Sequence, residues 1–141
     1  MRFLLDTTAL SELTKRNPNA GFMNWIRGRE TEDACISTIS IAELVLGIEL
    51  LEPSNRRKRL EEWLSELERE FQDRMLVFDM QCARAWANLV VQARRQKRVL
   101  PIVDSQIAAI AIAHGLTVVT RNIKDFTILG CDNLRVLDPW S

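Results

Sequence analysis

Apolar and polar positions alternate along this chain in two rhythms, short hydrophobic runs and longer helical stripes. Residues 2–5 are a short apolar run ending at Asp6, with Thr7 and Thr8 placed to cap a helix reaching about residue 15. Asn17-Pro18-Asn19 breaks that helix, and residues 21–29 read as a second short one. Residues 34–39 carry the β-branched character of a strand. Ser40 then opens a helix through Leu51, stopped by Glu52-Pro53. Its stripe of Ile41, Leu44, Val45, Ile48 and Leu51 is helical, yet Leu46 and Leu50 lie off it, so the helix is expected to be buried on more than one side or to meet a partner subunit.

The second half repeats the pattern. Residues 55–73 form an amphipathic helix with Leu60, Trp63, Leu64, Leu67 and Phe71 on one face. A strand is predicted at 75–78 and a long helix at 80–97. After Pro101, Asp104 leads into a helix at 105–114, closed by Gly115 in the C′ position. Strands follow at 117–120 and 135–137. Strands alternating with helices imply an α/β sandwich of three layers, a mainly parallel sheet flanked by helices, in one domain over 1–141.

Composition narrows the chemistry. An apolar share of 47% supports a real core. No run approaches the roughly 18–20 apolar residues of a membrane span, and Asp6 comes too early for a signal-peptide core, so a soluble, cytoplasmic protein is expected. Cys35, Cys82 and Cys131 are scattered without a Cys-x-x-Cys pair, which fits buried free thiols better than disulfides or zinc. Nineteen basic residues balance nineteen acidic ones, so any polyanion contact must come from local patches. His114 is the single histidine, which excludes a histidine-pair ribonuclease. Neither a Gly-x-Ser-x-Gly elbow nor a Walker or dinucleotide fingerprint is present.

Acidic and amide side chains, however, fall where strands end. Asp6 follows the first strand, Glu43 lies in the first turn of the helix after the second, and Asn122 and Asp125 follow the strand at 117–120. In an open parallel sheet these positions share one edge. Carboxylates brought together repel unless a cation neutralises them, and hard divalent ions such as Mg²⁺ and Mn²⁺ take oxygen ligands. A structural alternative stands beside this. Ser40-Ile41-Ala42-Glu43 is a capping-box pattern, and Asp104 is an ordinary N-cap residue. Periodicity does not place Asp104 in the cluster.

At these residues the chain resembles the PIN-domain ribonucleases, specifically the VapC and FitB-like toxins of bacterial toxin–antitoxin pairs. The resemblance is carried by Phe3-Leu4-Leu5-Asp6-Thr7, by Ile39-Ser40-Ile41-Ala42-Glu43-Leu44 with Gly47, and by Pro101-Ile102-Val103-Asp104-Ser105-Gln106-Ile107-Ala108-Ala109. His114-Gly115-Leu116, Val119-Thr120-Arg121-Asn122, Asp125-Phe126 and Asp138-Pro139-Trp140 continue it in the same order. It implies a PIN fold, with Asp6, Glu43 and Asp104 as the acids that hold Mg²⁺ or Mn²⁺ and Thr7 and Thr120 as hydroxyls beside them. Many relatives carry Asp directly after Thr-Arg. Here Asn122 stands in that place with Asp125 nearby, which leaves the fourth position and a second metal open. The resemblance also implies an endonuclease acting on single-stranded RNA, a cognate antitoxin and a homodimer.

Of the basic residues, Arg56-Arg57-Lys58-Arg59 opens a helix and Arg94-Arg95 with Lys97-Arg98 closes one, and both read as solvated faces. Arg121, beside the acids, is the better candidate for a scissile phosphate. Trp25, Trp63 and Trp86 fit apolar stripes and read as core. Two other functions compete: a phosphotransfer receiver domain, for which Lys124 is the nearby lysine, and a catalytically weak or inactive PIN module that binds a protein or RNA partner.

Overall fold

The computed structural model describes residues 1–127, 130 and 133–140. Its five strands are β1 (Phe3–Leu5), β2 (Ala34–Ser37), β3 (Met75–Leu76), β4 (Thr117–Val119) and β5 (Arg135–Leu137). They form one parallel sheet in the order β3-β2-β1-β4-β5, with Leu4 opposite Cys35 and Val118 and Leu5 opposite Val119. Seven α-helices connect them: α1 (Thr7–Glu12), α2 (Ala20–Arg27), α3 (Thr38–Glu49), α4 (Asn55–Glu70), α5 (Met80–Arg95), α6 (Ile102–His114) and α7 (Ile123–Thr127).

Side chains alternate across each strand, and this divides the core in two. Leu4, Cys35 and Val118 join Cys82 and Leu89 of α5 and Ile107–Ala111 of α6 on one face. Leu5, Ala34, Ile36 and Val119 join Leu10, Phe22, Leu44, Leu64 and Leu67 on the other. Both faces are covered, so strands read as continuous apolar runs. Helix α6 is buried around most of its girth, and its alanines 108, 109 and 111 let it lie close against the sheet.

Several helix starts differ from the sequence reading. Strand β2 stops at Ser37 because the Ser37 side chain accepts from the Ser40 N–H and starts α3 at Thr38. Glu43 is therefore in the second turn, not the first, and has no part in a capping box. Helix α6 begins at Ile102 with Pro101 at its N-cap, so Asp104 is its third residue and caps nothing. At α1 the cap is Asp6 itself, which frees both threonines. Leu46 on α3 and Leu50 at its C-cap are 61% and 77% exposed, so the chain does not itself bury the outer face of that helix. Cys35 and Cys82 are buried free thiols, and burial pushes Cys35 up to about 11. Cys131 lies outside the described residues. Trp25, Trp63 and Trp86 pack against the two cores as expected. No helix among the described residues is long and apolar enough to cross a membrane.

Candidate active site

Strand β1 is central, and the chain builds outward from it twice, first through β2 and β3 and then through β4 and β5. The crevice beyond the carboxyl ends of β1 and β4 is thus a topological switch point, where loops part and leave room for a ligand. Asp6 stands at this point, only 3% exposed. Its Oδ1 accepts from the Ala9 N–H at 3.0 Å and from the Thr8 hydroxyl at 2.6 Å. Burial raises the Asp6 pKa, against the opposing effect of hydrogen bonds from Thr120, Thr8 and Ala9.

The hydroxyls form a brace between the two strand ends. Thr8 Oγ1 lies 3.4 Å from Thr120 Oγ1 and accepts from the Arg121 N–H at 3.0 Å. Thr120 Oγ1 accepts from the Asn122 N–H at 2.9 Å. On the other side of β1, the Thr7 hydroxyl donates to Glu43 Oε1, joining the first turn of α1 to the second turn of α3.

Asp104 reaches the same edge without a strand in front of it. Helix α6 runs back to feed β4, so its first turn lies at the carboxyl edge of the sheet. Its carboxyl is pushed up to about 6, by burial first and then by the negative charges of Asp125, Glu43 and Asp6. With Asp104 itself, these charges come from four segments distant in sequence. Of these charges, that of Asp125 on α7 acts most strongly on Asp104. Among the described residues, no three His, Cys, Asp or Glu side chains are drawn together closely enough to enclose a metal ion by themselves.

Asn122 and Arg121 are exposed and face a different opening. They line a polar cleft of about 360 Å³ together with Thr7, Thr8, Ser11, Glu12 and Lys15. The sequence does not single out Lys15, and it marks Thr8 only as a helix cap. A threonine two residues after an N-cap aspartate was the available signal for Thr8, since hydroxyls there bond locally. Lys124 is exposed on α7 and, unlike a phosphotransfer lysine, makes no ion pair with an acid among the described residues.

Fold and site together define a doubly wound α/β protein with an acidic, oxygen-only centre at its switch point. The chain belongs to the PIN-domain family, whose profile matches residues 3–127. Among its relatives are the plasmid stability protein StbB of Pseudomonas syringae pv. tomato, 41% identical over 97% of each chain, and the VapC ribonuclease Y4jK of Sinorhizobium fredii, 34% identical over 97% of this chain and 96% of the relative. Toxin FitB of Neisseria gonorrhoeae is 33% identical over 97% of each chain. The crystal structure of FitAcB from that organism matches with a TM-score of 0.88 at 33% identity, covering 98% of each chain.

Proposed function

We propose that this protein is the ribonuclease toxin of a toxin–antitoxin pair, a Mg²⁺-dependent endonuclease in which Asp6, Glu43 and Asp104 hold the ion and Mn²⁺ substitutes for it. The reading is carried by the placement of the buried Asp6 at the switch point, with Glu43 bonded to the neighbouring Thr7, and by a raised Asp104 carboxyl on which the charges of Asp125, Glu43 and Asp6 act as mutual repulsion. A cation removes that repulsion, and the donors are all hard oxygens, the set Mg²⁺ prefers. The open spacing of the acids suits an ion that keeps several waters, so that some of the three carboxylates hold it directly and others through those waters. When bound, the ion supplies positive charge against the scissile phosphate and lowers the pKa of a water.

The chain's own residues orient that centre. Thr8, Thr120 and the Ala9 N–H fix Asp6, while Thr7 fixes Glu43. Asp125 fills the fourth acidic position, and Arg121 and Asn122 meet the phosphate from the adjoining cleft. The products are a 5′-phosphate and a 3′-hydroxyl. Support comes from the relatives named VapC ribonuclease and toxin FitB, similar over nearly the whole chain. Residues 1–141 form one domain on this reading, because β5 lies beyond the matched region yet pairs with β4. The partners are RNA, a cognate antitoxin and a second copy of the chain, and the exposed Leu46 of α3 and Leu50 at its C-cap offer an apolar face for one of the two protein contacts.

The test is incubation of purified protein with single-stranded RNA and Mg²⁺. Cleavage should stop with EDTA and with Asp6→Asn or Glu43→Gln, each checked for native circular dichroism. Asn122, which brings no charge, favours the second reading of an inactive PIN module. Metal binding without any cleavage under these conditions would decide for it.

A further inference from the structure

Two openings meet beside the acidic crevice, and the residues they share suggest how a polynucleotide lies there. The polar cleft lined by Arg121 and Asn122 shares Thr7, Ser11 and Lys15 with a second groove of about 390 Å³ between α3 and α4. That groove also takes in Glu43, Leu44, Leu60, Trp63 and Arg56. The two openings thus adjoin across α1; Glu43 lines the second, and Thr7 and Thr8, which bond Glu43 and Asp6, line the first, so this channel borders the acidic crevice with Arg121 at one end, Arg56 at the other and Lys15 at the junction.

Each cation is placed in a way the fold alone does not require. Arg56 sits in the first turn of α4, where the helix dipole opposes a positive charge. It has no ion-pair partner among the described residues, in contrast to Arg57, which binds Glu61 and the Leu51 carbonyl at 2.9 Å each. Lys15 is held at the junction by Glu12, at 2.6 Å. That carboxylate is itself fixed from inside, accepting from the Asn19 N–H at 3.1 Å and the Trp140 Nε1–H at 3.2 Å. The acid is turned inward and the ammonium outward, with side-chain exposures of 4% and 47%. Two ammonium protons remain for a phosphate oxygen. Arg121 is exposed, and its backbone N–H is tied to Thr8.

We propose that Arg56, Lys15 and Arg121 form a phosphate track that carries one RNA strand through this channel past the acidic crevice, with the apolar floor of Leu44, Leu60 and Trp63 receiving a base on the Arg56 side. The inference rests on the ribonuclease reading above. Three phosphate contacts flanking a cluster of carboxylates hold the strand where acids alone would repel it, and aromatic or apolar floors support unpaired bases without demanding a sequence. In a molecule of zero net charge, this local line of cations is what a polyanion can use.

The experiment is fluorescence anisotropy of a single-stranded oligoribonucleotide against the Asp104→Asn protein in EDTA, titrated at several salt concentrations. Arg56→Ala, Lys15→Ala and Arg121→Ala should each weaken binding several-fold and reduce the slope of log K against log salt by about 0.7, the value for one phosphate contact on a single strand. Arg59→Ala, which removes the same charge outside the channel, should leave the slope unchanged. Lys15→Arg keeps the cation at the junction and should restore binding, so a folding defect in Lys15→Ala is separable from a lost contact. Equal effects of Arg56 and Arg59, or unchanged slopes in all three alanine variants, would overturn the track and leave the groove between α3 and α4 to a protein partner. Cleavage by the unsubstituted protein with Mg²⁺ is read in parallel. If it cuts RNA while the slopes stay unchanged, only the track fails; if it neither binds nor cuts RNA, the functional reading fails with it.

Discussion

The Asp104 carboxyl is surrounded by groups that work against its charge. Burial and the charges of Asp125, Glu43 and Asp6 raise it from 3.8 to about 6. The folded protein therefore keeps a proton that the unfolded chain releases, and stability falls as pH rises from about 4 through 6. The buried Asp6, also raised, adds in the same direction. Asp104→Asn should accordingly stabilise the metal-free protein at pH 7 by on the order of 1 kcal/mol, a figure discounted for the partial exposure of the group. Thermal melts in EDTA at pH 7 and pH 4 check this, since the advantage should disappear at the lower pH. The same variant should not cut RNA. Stability and activity should pull apart in this variant if, as proposed, these acids serve an ion and not the fold.

At the scale of elements, helix ends explain both what the fold tolerates and what it needs. Helix α6 ends in Gly115 at φ 66°, the left-handed position a glycine adopts freely. Helix α5 ends with Lys97 in the same region, at φ 58°, where a side chain is strained. Lys97→Gly should raise the stability by about 0.5–1 kcal/mol in a denaturant titration, with the m-value unchanged. Glu12 works in the opposite sense. It ties the end of α1 to the start of α2 and to Trp140, which stacks on Phe22 at 4.6 Å. Glu12→Ala removes the acceptor of two part-buried donors and should lose about 1–2 kcal/mol, with a change in near-ultraviolet circular dichroism as Trp140 loosens. Glu12→Gln keeps an acceptor in place and should lose less.

Across the whole molecule, a metal held as proposed at the switch-point crevice would link stability to its occupancy. Mg²⁺ should raise Tm with concentration, because it binds the gathered acids of the folded chain and not the scattered ones of the unfolded chain. The shift should shrink as pH falls below about 6, where Asp104 takes up its proton and competes with the ion. A saturating Mg²⁺ series at pH 7.5 and pH 5 measures both effects, and an absent shift at the higher pH would count against Asp6, Glu43 and Asp104 as ligands. The sheet itself was readable in advance at this scale. Apolar runs at Phe3–Leu5 and Thr117–Val119 and the helices between strands specify a two-faced parallel sheet, since each strand must bury both faces. Its order was not readable, because apolar runs of similar composition do not say which becomes central.

The amino-acid order alone determined the alternation of strands and helices, the position of Asp6 at the end of a strand and the breaks at Pro53 and Gly115, because these depend on local periodicity and backbone chemistry. Only the tertiary structure decided that Asp6 caps α1 while Thr7 reaches Glu43, thirty-six residues away, and that Asp104 arrives on the first turn of a helix. It also decided that the charge of Asp125 reaches Asp104, and that Arg56 is the member of its basic run that lines the groove between α3 and α4. Such facts depend on which segments a folded sheet brings side by side, and distance in space is not written in distance along the chain.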